Sequence, residues 1–190
     1  SDALKNLDFA FMGVMEARNG RWSLLGDFAQ TNLSFSKNSP GPVLGGVDAD
    51  VKLQVLNAYA LYETSSNSNW ALDMGAGFRS FNTDSTLVLR PGAVTPGRTS
   101  SFNQSWIDPV LAARFTYVFN DRWTGSAFLD YGGFRDNSES FQVALTARYA
   151  INDDWSFVAG YRYLDITHGP SDNEFKFSQS GPIVGVRYEF

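Results

Sequence analysis

Apolar and polar residues alternate with a period of two through most of the 190-residue chain, and the i, i+3, i+4 spacing of an amphipathic helix never persists beyond a turn. The pattern predicts nine strands and no helix: Leu7–Ala17, Trp22–Ser36, Ala49–Thr64, Trp70–Leu89, Phe102–Phe119, Trp123–Arg135, Glu139–Ile151, Trp155–Ile166 and Glu174–Phe190. That is more strand than a globular domain carries and is what a closed antiparallel barrel requires.

The connections fall into two alternating kinds. Short polar turns follow Ala17, Thr64, Phe119 and Ile151, whereas longer or more variable links follow Ser36, Leu89, Arg135 and Ile166. The segments Ser39-Pro40-Gly41-Pro42 and Arg90 to Arg98 are the clearest loops. All four short turns read Asn-x-x-Trp, beginning at Asn19, Asn67, Asn120 and Asn152, so Trp22, Trp70, Trp123 and Trp155 each open a strand at the same rim. Asn, Gly and Asp suit the positive-φ positions of tight hairpins. Tryptophan is favoured where an apolar ring meets a wet edge. Ordinary hairpins beside core tryptophans are the plainer reading, but recurrence on alternate turns favours an aromatic girdle of Trp22, Trp70, Trp123, Trp155, Tyr188 and Phe190.

The apolar face is expected to point outward. In the eighth strand Trp155, Phe157, Ala159, Tyr161 and Tyr163 alternate with Ser156, Val158, Gly160, Arg162 and Leu164. The fifth, seventh and ninth strands repeat the scheme, with aromatics at the ends of the apolar stripe and aliphatics between, as in a lipid-facing band. A soluble lipocalin-like barrel would instead hold its apolar face inside. Val51–Leu61 breaks the scheme, because Asn57 falls among Val51, Leu53, Val55, Tyr59 and Leu61, which implies a bulge or a shifted register.

The opposite, polar face gathers Glu16, Asp27, Asp73, Asp108, Asp130 and Glu189 with Arg79, Arg114, Arg148, Arg162 and Arg187. Buried charges need partners, and the planar guanidinium fork binds several carboxylates. A charge-paired network filling a narrow lumen is expected, and the same groups lining a selective pore are the alternative.

Composition narrows the setting. Only 18% of residues are charged while 15% are aromatic, and the formal net charge is −5, which gives no electrostatic basis for nucleic-acid binding. There is no cysteine, hence no disulfide or thiolate metal site. The first residues, Ser1-Asp2-Ala3-Leu4-Lys5-Asn6, lack the features of a signal peptide, so an export signal is expected to have been removed.

The ending with Phe190 and Tyr188, together with Trp123 to Phe134 and Trp155 to Leu164, resembles small Gram-negative outer-membrane β-barrel proteins of the OmpA/OmpX/OmpW-like class. The resemblance runs from about Leu7 to Phe190. It implies an all-β, up-and-down transmembrane barrel, insertion by the barrel-assembly machinery, and lipopolysaccharide around the outer rim. It names no substrate. Because such barrels have even strand numbers, the strand parity predicts a missing N-terminal strand and a complete barrel of ten, with eight as the alternative.

Chemistry is sparse. His168, Ser171 and Glu174 offer the groups of a lipid A esterase triad, but they fall in a Gly/Pro-containing loop, and a solvated histidine is the simpler expectation. Gly75-Ala76-Gly77 lacks the third glycine and the helix of a dinucleotide site. Asp48/Asp50 and Asp153/Asp154 are expected to be solvated turn residues rather than calcium ligands, and Arg90 and Arg98 either meet lipopolysaccharide phosphates or keep a loop soluble. The chain is therefore expected to be a non-enzymatic outer-membrane barrel without cofactor or metal, structural or a low-conductance channel for small solutes.

Overall fold

The computed structural model describes all residues except 1–6, 39–43, 93–95, 136–137 and 170–174. Nine strands form one sheet in sequence order: β1 (Leu7–Asn19), β2 (Trp22–Asn38), β3 (Leu44–Ser66), β4 (Trp70–Pro91), β5 (Arg98–Val118), β6 (Trp123–Arg135), β7 (Ser138–Ala150), β8 (Trp155–His168) and β9 (Phe175–Tyr188). Consecutive strands pair antiparallel, as in the run Trp123↔Tyr149 to Gly132↔Ser140 between β6 and β7. Several strands extend further than periodicity predicts, whereas β9 stops at Tyr188 rather than at Phe190. β3 begins at Leu44 rather than Ala49 and β5 at Arg98 rather than Phe102, because backbone pairing continues where the side chains no longer alternate.

By internal contacts the chain divides into two compact units. One comprises residues 1–15, 26–57 and 79–107, and the other residues 16–25, 58–78 and 108–190.

In the second unit the alternation predicted from sequence becomes alternation of exposure. Trp155, Phe157, Tyr161 and Tyr163 of β8 are exposed while Ser156, Leu164 and Ile166 are buried. On β5, Leu111 and Phe115 are exposed and Asp108, Val110 and Ala112 buried. Tyr59, Leu61, Val110 and Ala112 form a buried apolar cluster, with Leu25 and Phe128 packed against it. The inward face thus contains an ordinary hydrophobic core as well as charge.

The exception in β3 is resolved by its register. Leu53, Val55, Asn57, Tyr59 and Leu61 all lie on the buried face, and Leu56 is exposed on the other. The most apolar face of this strand therefore points inward, opposite to the expectation for its neighbours. No bulge is needed to place Asn57, which has polar partners inside.

In the first unit the exposed face of β2–β4 turns polar toward the longer connections. Gln54 donates to Gln30 at 3.0 Å, Asn82 donates to Gln54 at 3.3 Å, Ser34 donates to Asp50 at 2.8 Å and Ser36 to Asp48 at 2.6 Å. Arg90 joins this ladder through Asp48 at 3.0 Å. Asp48, Asp50 and Arg90 are thus engaged with protein groups rather than being bare loop charges.

Candidate functional site

Polar residues of the buried face are carried inward by the period of two, and what they meet there is decided by cross-strand neighbours. In the first unit Arg79 of β4 has 0% exposure. Its Nε donates to Asn57 Oδ1 at 2.5 Å, and Asn57 Nδ2 donates to Asp27 Oδ2 at 3.2 Å. One amide thus bridges guanidinium and carboxylate, accepting from the cation and donating to the anion.

In the second unit Arg114 of β5 is held between two acids. Its Nη2 donates to Glu16 Oε1 at 2.8 Å and its Nε to Asp73 Oδ2 at 2.9 Å. Arg18 extends the chain of charges, contacting Asp73 at 3.3 Å and Glu63 at 2.6 Å. Charges alternate in sign along Glu16, Arg114, Asp73, Arg18 and Glu63, so each group has an opposite neighbour.

A second cluster in this unit joins β3, β6, β7 and β8. Tyr59 Oη and Gln142 Nε2 both donate to Asp130 Oδ2, at 2.8 and 3.0 Å, and Arg162 Nε donates to Gln142 Oε1 at 3.0 Å. Here too an amide bonds to both cation and anion. Arg148 and Arg187 share Glu189, at 2.9 and 2.7 Å, and this last group is the most solvated.

Ten of the eleven charges read from sequence assemble in these groupings: Asp27 with Arg79, Glu16 and Asp73 with Arg114, Asp130 with Arg162, and Arg148 and Arg187 with Glu189. Asp108 belongs to a different grouping. Ser138 Oγ donates to Asp108 Oδ2 at 2.8 Å and lies 2.9 Å from His168 Nδ1. His168 ends β8 and is half-buried, not a solvated loop residue. Ser138 thus stands between Asp108 and His168, whereas in a Ser-His-Asp relay the histidine stands between the other two. Ser171 and Glu174 lie outside the described residues. Next to Ser138 the backbone is bent by a bulge, with Gly133 at φ 99° and Phe134 at φ 43°.

Asn57, Gln142, Tyr59 and Ser138 are the members that charge counting misses. Each is a neutral group on the buried parity of its strand, and that parity is the signal that marks them. Arg18 and Glu63 are also missed.

The Asn-x-x-Trp turns have their own geometry. Asn67, Asn120 and Asn152 each accept, through Oδ1, the backbone N–H of the tryptophan three residues on, at 2.9, 3.0 and 2.8 Å. These asparagines act as side-chain caps rather than as the positive-φ residues expected from sequence. Only the first turn uses positive φ, at Gly20 with φ 57°. Trp22, Trp123 and Trp155 each lie 5.0 Å, centroid to centroid, from a tyrosine of the next strand: Tyr62, Tyr149 and Tyr188. Trp70 faces Phe115 at 6.0 Å, and Tyr188 stacks on Phe190 at 6.4 Å. In the third turn Arg122 donates to Tyr149 Oη at 2.9 Å, and this bond raises the arginine pKa from its ordinary value.

Residues 9–190 match the family model described as outer membrane protein beta-barrel domain. The chain belongs to that family. A KdgM porin structure aligns over 95% of this chain and 98% of its own, at 15% identity and a TM-score of 0.36. A search of curated proteins gives no match. Membership in the outer membrane protein beta-barrel domain family places the chain in the outer membrane, and the exposed face carries large apolar side chains such as Leu111, Phe115, Leu145 and Phe157.

Proposed function

We propose that this outer-membrane barrel is non-enzymatic and is either structural or a low-conductance, porin-like channel for small solutes. The observation that carries the reading is the enclosure of Arg114 between Glu16 and Asp73, with Asp73 also taken by Arg18. A guanidinium held by two carboxylates offers a passing anion little unbalanced charge. The apolar cluster around Tyr59 and Leu61 supports the same reading, since a wide aqueous channel has a polar lining. In this proposal the buried charge clusters are interior filling and the tryptophans are interfacial anchors. Lipopolysaccharide at the outer rim and insertion by the barrel-assembly machinery belong to it as well.

Planar-bilayer recording of the full chain tests the proposal. Small currents are expected in the native protein, with altered size or ion selectivity in Arg114→Ala and Arg162→Ala. Large, steady currents unchanged by either substitution would refute the assignment. Hydrolysis of lipid esters that is lost in Ser138→Ala or His168→Ala would refute its non-enzymatic part.

A further inference from the structure

Two of the four short turns carry one constellation in duplicate, both within the second unit. At the first, Trp22 lies 5.0 Å from Tyr62, and the guanidinium of Arg21 sits 4.8 Å from the centroid of the same tyrosine ring. Arg21 Nε and Nη2 donate to the carbonyls of Glu63 and Thr64 at 2.9 and 3.2 Å, which fixes the side chain. At the third, Trp123 lies 5.0 Å from its cross-strand partner Tyr149, and Arg122 Nη1 donates to the phenol oxygen at 2.9 Å. Both tryptophans are about half exposed, at 56% and 46%. Arg21 Nη1, and Nε and Nη2 of Arg122, donate to no protein group among the described residues.

An exposed guanidinium with free N–H groups, fixed beside an aromatic pair at the edge of an apolar band, has the chemistry of a phosphate receptor at a membrane surface. The fork takes phosphate oxygens while the rings take the glycerol and upper acyl region. The chain contains its own contrast. Asn69 and Asp154 stand before Trp70 and Trp155 where the other two turns have arginine. At the opposite end of the exposed band the tyrosines bond acids instead, Tyr131 to Glu139 at 3.0 Å and Tyr163 to Asp165 at 3.1 Å. Both of these arginine–tyrosine contacts lie at the short-turn end, which in this class faces the periplasm.

We propose that Arg21–Trp22–Tyr62 and Arg122–Trp123–Tyr149 are two binding sites for the phosphate group of an anionic glycerophospholipid in the leaflet that meets the short turns.

Native mass spectrometry of the detergent-solubilised full chain, titrated with phosphatidylglycerol, phosphatidylcholine or inorganic phosphate, tests this. The native protein should retain two phosphatidylglycerol molecules at about tenfold lower concentration than phosphatidylcholine. Arg21→Gln and Arg122→Gln should each remove one, and the double variant both, with folding checked by heat-modifiable gel migration. Asp154→Arg, which places a guanidinium beside the existing Trp155–Tyr188 pair, should add a third. Equal retention of the two lipids, or undiminished phosphatidylglycerol retention in the double variant, overturns the proposal. Displacement of phosphatidylglycerol by equimolar inorganic phosphate also overturns it, because the sites would then be receptors for free anions.

Discussion

Asn57 Oδ1 accepts the hydrogen bond of Arg79 Nε while its own amide donates to Asp27. The amide thus accepts from a cation and donates to an anion at once, and it does so at 0% exposure. Asn57→Ala removes both bonds at once. The expected loss is about 2–3 kcal/mol of folding stability, since hydrogen bonds to charged groups contribute roughly 1.5–3 kcal/mol each and the site partly rearranges. Urea unfolding of the barrel in lipid vesicles measures it. Asn57→Asp should be worse than Asn57→Ala, because it sets a second carboxylate against Asp27.

Arg114→Ala leaves Glu16 and Asp73 without the cation they share. Removing one partner of a buried ion pair costs about 3–5 kcal/mol, so this should be among the most damaging single substitutions on the buried face. Adding Glu16→Gln and Asp73→Asn to the variant should restore much of the loss. A triple variant no more stable than Arg114→Ala would show that the arginine acts through packing rather than through its charge.

Much of this architecture is legible in the chain, and the reason is local. Exposure along β8 follows directly from the alternation of Trp155, Phe157, Tyr161 and Tyr163 with Ser156 and Leu164. β3 is harder, because Leu53, Val55, Tyr59 and Leu61 look like a lipid face; only Asn57, in the same row, marks it as buried. The candidate site is less legible still. Parity selects which charges point inward but cannot say which strands bring them together, so Arg162 and Asp130 are found on the right face while Gln142 between them is not foreseen. The partner of His168 is not foreseen for the same reason: Ser138 is 30 residues away and carries no charge.

Capping of three turns by asparagine gives a graded expectation. Asn67→Ala, Asn120→Ala and Asn152→Ala should each cost about 1 kcal/mol, the usual contribution of a side-chain to backbone bond at a turn. The first turn relies on Gly20 at φ 57° instead, so Gly20→Val should cost more there than Asn19→Ala. Equilibrium unfolding of the set separates the two mechanisms.

At the β6–β7 bulge, Gly133 adopts φ 99°, and a Cβ there would collide with the Ser138 carbonyl. Gly133→Ala should therefore destabilise by about 2 kcal/mol or more. It should also shift Ser138 relative to Asp108 and His168, which the histidine ring resonances in NMR would report. An unchanged His168 spectrum would separate the bulge from that trio.

The exposed apolar row from Trp155 to Tyr163 covers eight residue steps, about 27 Å along the strand at roughly 3.4 Å each. With the tilt of about 40° usual for such barrels, it subtends only about 20 Å of bilayer. That span is short for an average membrane and suits the thinner outer membrane of bacteria. Hydrophobic mismatch would penalise residence in a thicker bilayer, so the same rings that seal the barrel against lipid also select the membrane in which it rests at lowest free energy.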